Sequence, residues 1–326
     1  MASSMEDRKE LEGVLAVWKP AGWTSHDVVA KVRALTRMRR IGHAGTLDPG
    51  VTGVLPLCLG RATRAVEYLQ ELPKAYDAVV RLGVATDTED LTGTVTETAD
   101  ASHVTGEMVR EALARFTGEI EQVPPMYSAV KIGGRRLYEL AREGKTVERT
   151  ARRVTIHSLE LRFAELGGPE PRIGFSVVCS KGTYIRTLCV DIGRALGVPA
   201  AMESLVRTMS AGLRESDCLT LERIAELAAS GGLAEALLPV DRALGQYPRV
   251  DVGAAAAARA VQGQRIRMPQ AATGGLVRLY GEGRFVGLFE ADVGEGVLKP
   301  VKVFASADEF GRGTARQRTD DPKARG

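Results

Sequence analysis

The sequence predicts an α+β protein in two parts. Strands and helices intermingle over residues 11–245, and a small, mostly β part covers 248–304. Three observations support this. The chain has 326 residues, more than one minimal domain and fewer than three. Strand-like runs and amphipathic helical runs both recur through the first three quarters. Over residues 239–248 the texture changes, and an Ala-rich helix and a set of short strands follow.

Residues 14–18 read as a buried strand stopped by Lys19-Pro20, since proline cannot donate to a ladder. Thr24 or Ser25 caps a helix with apolar positions at Val28, Val29, Val32 and Leu35. Residues 41–53 hold four glycines and one proline, a long loop and hence a suspect for function. Residues 54–59 return to strand and 61–70 to helix, and 75–84 alternate as a strand does. Thr105 opens a helix that runs to Phe116, and Pro124-Pro125 starts an irregular basic segment that reaches about 153. Residues 154–163 and 172–180 read as paired strands, 183–196 as an amphipathic helix, and 203–229 as two further short helices. In the C-terminal part a helix over 253–262 precedes strands at 276–280, 284–290 and 296–303. Gly281-Glu282-Gly283 is a hairpin signal between the first two. Residues 1–10 are expected to be flexible and the polar stretch 305–326 disordered.

Composition removes several function classes. Apolar residues at 44% and charged residues at 26% are a globular balance. No apolar run approaches bilayer length, and the N-terminus lacks a signal-peptide core, so a soluble cytoplasmic protein is expected. Cys58, Cys179, Cys189 and Cys218 form no C-x-x-C pair, and three of them lie among apolar neighbours as core residues do. No two of His26, His43, His103 and His157 stand four apart, so no metal site is expected. Gly144-Lys145-Thr146 is not a P-loop, because Glu139 stands where the first glycine is required. Neither a dinucleotide fingerprint nor a G-x-S-x-G elbow is present, and no cofactor is expected.

The net charge of +3 hides an asymmetry. Residues 31–40 hold five bases and no acid, and 131–153 hold eight bases against three acids. Together they carry +10 and leave −7 for the rest, the footprint of a phosphate-binding surface on an acidic body. Within the glycine-rich loop, Asp48 precedes Pro49 and is forced into extended backbone. A carboxylate held there, with His43 five residues upstream, suits a nucleophile, a base, a metal ligand or a plain Asp-Pro turn.

Gly42-His43-Ala44-Gly45-Thr46-Leu47-Asp48-Pro49 resembles the active-site motif of bacterial tRNA pseudouridine-55 synthases, the TruB family. Further family motifs follow in order. They are Lys19-Pro20-Ala21-Gly22-Trp23-Thr24-Ser25, Lys74-Ala75-Tyr76-Asp77-Ala78, the stretch from Pro124-Pro125-Met126-Tyr127-Ser128 to Arg142, Lys181-Gly182-Thr183-Tyr184-Ile185-Arg186, and Leu205-Val206-Arg207-Thr208. The resemblance covers about 11–245, and residues 248–304 look like the small PUA-type RNA-binding domain such enzymes often carry.

The resemblance implies a pseudouridine-synthase fold, with a mixed, mostly antiparallel sheet flanked by helices and loops. It also implies isomerisation of a uridine in the T-arm of tRNA without cofactor, with tRNA as the partner, no obligate protein partner and a monomeric chain. Asp48 matches the family's nucleophile, which needs orientation rather than deprotonation. Arg186 matches the arginine paired with it, where a bidentate guanidinium would fix the carboxylate's plane. A cation in the first turn of a helix is otherwise unfavourable, which favours a specific partner for Arg186. Tyr76 matches the tyrosine that stacks on the target base and stands near its C5 proton, and Tyr184 and Leu205 match residues lining the uracil pocket. His43 matches the histidine that fills the space left by flipped bases. Lys19, Lys131, Arg135, Arg136, Arg142, Arg149, Arg152 and Arg153 are the expected RNA contacts, with 124–153 as a gripping insertion.

Two other function classes are compatible with these residues. One is a tRNA-binding or folding chaperone in which catalysis is secondary. The other is a glycosidase-like hydrolase that pairs Asp48 with a second carboxylate such as Asp27 or Asp77 about 5–9.5 Å away.

Overall fold

Alternation along β4 (Lys74–Leu82) sets the central sheet of the computed structural model, which describes residues 11–267, 269 and 273–311. Lys74, Tyr76, Ala78, Val80 and Leu82 are buried and the residues between them less so, the period-two pattern of a strand with one covered face. The strands and helices leading to β4 are β1 (Gly13–Lys19), α1 (Ser25–Thr36), β2 (Ile41–His43), β3 (Thr52–Leu59) and α2 (Val66–Glu71). Those after it are β5 (Val84–Thr86), β6 (Val95–Thr98), α3 (Gly106–Arg115), β7 (Gly118–Gln122), β8 (Lys131–Ile132), β9 (Arg135–Arg136) and α4 (Leu137–Arg142). Then come β10 (Arg152–Glu165), β11 (Arg172–Cys179), α5 (Ile185–Ala195), β12 (Ala200–Ser210), β13 (Leu213–Arg214) and α6 (Leu221–Ser230).

The main sheet runs β1-β3-β12-β4-β11-β10-β7, with β2 on β3 and β13 on β12. β12 is parallel to β3, while β12–β4, β4–β11, β11–β10 and β10–β7 are antiparallel, so the sheet is mixed and mostly antiparallel. Its apolar side packs on α3 and α5 through Val109, Leu113, Leu188 and Ile192 against Val80, Phe175 and Ile156. Thr24 caps α1 through a reciprocal box with Asp27, and Thr105 caps α3, as their sequence positions predict.

Three expectations are corrected. Residues 200–210 form strand β12, not helix, because the segment threads between β3 and β4 and is held by ladders to both. The remainder of 203–229 holds the short strand β13, a 3-10 turn at Glu215–Asp217 and a single helix, α6. The basic segment after Pro124 contains the β8–β9 ribbon and α4, whose first turn Glu139 caps by accepting from the Arg136 amide. Residues 307–311 form a short helix inside a stretch expected to be disordered, and 312–326 and 1–10 lie outside the described residues.

The chain divides into two compact units. The larger spans 15–57 and 67–235; of the described residues, the smaller takes 11–14, 58–66 and those from 236 to 311. The smaller unit holds α7 (Val240–Ala243), β14 (Arg249–Val252), α8 (Ala254–Val261), β15 (Ile266–Arg267), β16 (Gly275–Gly281), β17 (Arg284–Asp292), β18 (Val297–Val303) and α9 (Ala307–Gly311). Its sheet runs β14-β16-β17-β18-β15, and Val277, Val286 and Phe289 pack against Ala257 and Ala260 of α8. The hairpin read at Gly281-Glu282-Gly283 joins β16 to β17.

Candidate active site

The Asp48 loop is held from three directions. Behind it, Lys19 at the end of β1 is fully buried, and its ammonium donates to the carbonyls of Trp23 (2.6 Å), Pro20 (2.9 Å) and Pro49 (3.1 Å). Burial is the main cause that lowers the Lys19 pKa to about 8; the Asp48 carboxylate opposes the shift. On the α1 side, the Ser25 hydroxyl accepts from the Leu47 amide at 2.9 Å and faces the Leu47 carbonyl at 3.3 Å. From β12, buried Arg207 donates to the carbonyls of Val54, Thr46 and Gly45. Two glycines make this approach possible. Gly45 (φ +121°) lies over the Arg207 and Lys74 side chains, and a Cβ on Gly53 (φ +122°) would sit 2.2 Å from the Arg207 carbonyl. Lys19 was expected to contact RNA; its burial and its three carbonyl partners assign it to the loop instead.

The loop presents Asp48 half-exposed to Arg186, with 3.1 Å between Oδ2 and the guanidinium Nε. Arg186 lies in the first turn of α5 and is only 7% exposed. The expected bidentate clamp is not formed. Nη1 donates to the Thr88 carbonyl at 2.9 Å and Nη2 to the Tyr127 carbonyl at 2.7 Å, which leaves Nε for the carboxylate. Two directed bonds to carbonyls therefore fix the guanidinium and hold it in an ion pair with Asp48. Beside it, Thr187 donates to Glu89 at 2.7 Å, and burial pushes the Glu89 carboxyl up.

Asp48, Tyr76, Tyr184, Arg186 and Leu205 line one cleft of about 440 Å³, with Lys74, Tyr127, Ser128, Lys181 and Arg207 among the other walls. Tyr76 is 8% exposed and lies opposite Val177 of β11 and Arg207 of β12. Burial pushes its phenol up and the Arg207 guanidinium pulls the other way, so the hydroxyl stays protonated near neutrality. Tyr184 is held by its backbone: buried Gln122 accepts from its amide at 3.0 Å and donates to its carbonyl at 3.2 Å. Leu205 lies opposite Ala78, two residues before Arg207 on the same strand. His43 is not among the lining residues. It sits half-buried in β2 with its ring edge-on to His26 at 5.4 Å, and burial pushes its pKa down.

Asp27 and Asp77, the candidate second carboxylates of a hydrolase, lie outside the cleft. Asp27 is spent on the Thr24 cap, and Asp77 accepts from Ser176 on the strand's other face. The insertion cations divide. Lys131, Arg135, Arg136, Arg142, Arg152 and Arg153 are exposed, whereas Arg149 is half-buried and donates to the Pro124 carbonyl at 3.0 Å. Arg135 is ion-paired with Glu143, and Arg136 and Arg142 stand over the Tyr138 ring at 5.8 and 5.5 Å. Among the described residues no group of three His, Cys, Asp or Glu could hold a metal, and no helix is long and apolar enough to cross a membrane. Reading by residue type missed Lys74, Gln122 and the placement of Arg207, because nothing in the sequence marks a polar side chain as buried.

Three family models match the chain. The TruB family pseudouridylate synthase N-terminal domain matches residues 33–185, the tRNA pseudouridylate synthase B C-terminal domain 186–245, and the pseudouridine synthase II TruB C-terminal domain 248–304. The chain is 46% identical to tRNA pseudouridine synthase B of Bacillus licheniformis over 91% of its own length and 99% of that protein's. It is 54% identical to the protein of the same name from Symbiobacterium thermophilum over 79% and 84%. A chain from a Cbf5–Nop10–Gar1 complex superposes with a TM-score of 0.71 at 28% identity, covering 92% of this chain and 87% of that one.

Proposed function

The chain belongs to the TruB family of pseudouridylate synthases, and from that premise we propose that it converts uridine-55 in the T-arm of tRNA to pseudouridine, with Asp48 as nucleophile. The observation that carries this reading is the Asp48 carboxylate, 3.1 Å from a buried Arg186 that two carbonyls hold in place, in a cleft walled by Tyr76, Tyr184 and Leu205. The reaction breaks the bond between N1 of uracil and C1′ of ribose, turns the base and joins C5 to C1′. One proton leaves C5 and one is gained at N1, so no atom is lost overall. A duplex or folded loop cannot offer its base to such a cleft, so the uridine is everted at a cost of a few kcal/mol. Stacking on Tyr76 returns about 1–3 kcal/mol of it. The protonated phenol of Tyr76 suits it to hold the ring; to take the C5 proton it must first pass on its own. The exposed cations of the insertion and the 248–304 unit supply backbone contacts.

Asp48→Asn keeps the size of the side chain and removes its charge. It is expected to eliminate tritium release from tRNA labelled at uridine C5 while tRNA binding survives. Release near the wild-type rate overturns the assignment.

A further inference from the structure

Arg207 is 1% exposed, and among the described residues its charge has no carboxylate beside it. The Tyr76 phenol and the Cys218 thiol act on it, and the Lys19 and Lys74 ammoniums and the His43 ring feel its charge in turn. Burying a guanidinium without a counter-ion is costly, so the fold must gain something specific from it. Its donors show what. Nε reaches the Val54 carbonyl at 2.8 Å, Nη1 the Thr46 carbonyl at 3.1 Å and Nη2 the Gly45 carbonyl at 3.1 Å. These three acceptors bracket the Asp48 loop, two before it and one after. β12 pairs with β4 so that Arg207 lies directly opposite Tyr76, which puts both side chains on one face of the sheet. A single planar group thus touches the frames of both the carboxylate and the phenol.

We propose that Arg207 is a positioning residue that sets the Asp48 loop and the Tyr76 hydroxyl in one geometry. This rests on the isomerase reading for its effect on rate, but not for its effect on Tyr76. Besides Arg207, the charged or titratable groups facing the phenol are Asp48 and Cys179. Removing the guanidinium therefore leaves the phenol with burial and two groups that all favour its protonated form.

The test uses the full chain labelled with 3-fluorotyrosine, with the Tyr76 fluorine resonance assigned by Tyr76→Phe. In Arg207→Gln the Tyr76 resonance is expected to titrate at higher pH than in the wild type, with Arg207→Lys in between. The other six tyrosines should stay unmoved. In single turnover on a T-arm hairpin, Arg207→Gln is expected to lose about 10²-fold in rate at unchanged RNA Kd, and Arg207→Lys to recover part of that loss. The proposal is overturned if the Tyr76 resonance does not move in either folded variant. It is equally overturned if rate and RNA affinity fall together in proportion to the unfolded fraction. If Arg207→Gln does not fold, the Arg207→Lys resonance alone decides. A moved resonance without any isomerase activity in the wild type would refute the functional reading and leave the positioning role standing.

Discussion

Two sets of cations serve this molecule, and they differ in what surrounds them. Lys19, Lys74, Arg186 and Arg207 are buried, and each donates to two or three main-chain carbonyls. Lys131, Arg135, Arg136, Arg142, Arg152 and Arg153 reach solvent; Arg135 meets a carboxylate, and Arg136 and Arg142 meet the Tyr138 ring. A desolvated ammonium or guanidinium acts as a bracket, because its hydrogen bonds have direction and nothing competes with them. A hydrated one acts as a field, attracts at a distance and yields to salt. The same residue types thus build the site in one region and are suited to recruit its substrate in the other.

The largest expected break in that comparison is Lys19→Met. Its carbonyl partners lose a donor, which costs about 1–3 kcal/mol of stability, and the loosened Asp48 loop costs about 10²-fold in turnover. RNA Kd should not change; a weaker Kd with normal turnover would move Lys19 into the recruiting set. The converse is Arg152→Gln with Arg153→Gln. Turnover at saturation should hold, while RNA binding weakens about tenfold and its dependence on log salt flattens by roughly one unit for each phosphate no longer neutralised. A salt slope equal to wild type would show that these arginines do not face RNA.

The smallest effect is on melting against pH. Lys19 and Lys74 are both lowered to about 8 by burial. Above that pH the folded chain binds fewer protons than the unfolded chain, so stability rises with pH. Burial pushes all four thiols above their usual 9.0, so past pH 9 the unfolded chain ionises first and stability falls. Melting temperature is expected to crest near pH 9, a few degrees above its value at pH 7, and Lys19→Met should flatten the rising limb. A Tm that falls steadily from pH 7 to 9 would refute this.

Much of the site was legible because its chemistry is concentrated in motifs. Asp48, Tyr76, Tyr184, Arg186 and Leu205 come from widely separated stretches and meet in one cleft. Strands with clear alternation, such as β4, and capped helices, such as α1 and α3, were legible for the same reason: their signals are local. β12 was not. Its residues include good helix formers, and only pairing with β3 and β4, distant in sequence, makes it a strand, with two register shifts along the way. Lys19 was misplaced because charged side chains are seldom fully buried, so the expectation for a lysine beside a glycine-rich motif is solvent and phosphate. The one-sided ion pair of Arg186 with Asp48 was equally hidden, since the carbonyls that occupy its other nitrogens belong to loops at Thr88 and Tyr127.

The segment around Asp48 is tied at Gly45 and Thr46 to β12, at Leu47 to α1, and at Pro49 to the end of β1. These ties hold the shape of the stretch through its carbonyls while Thr46, Asp48 and Gly50 stay exposed; the Leu47 amide, bonded to the buried Ser25 hydroxyl, is expected to exchange with heavy water more slowly than the amides of those exposed neighbours.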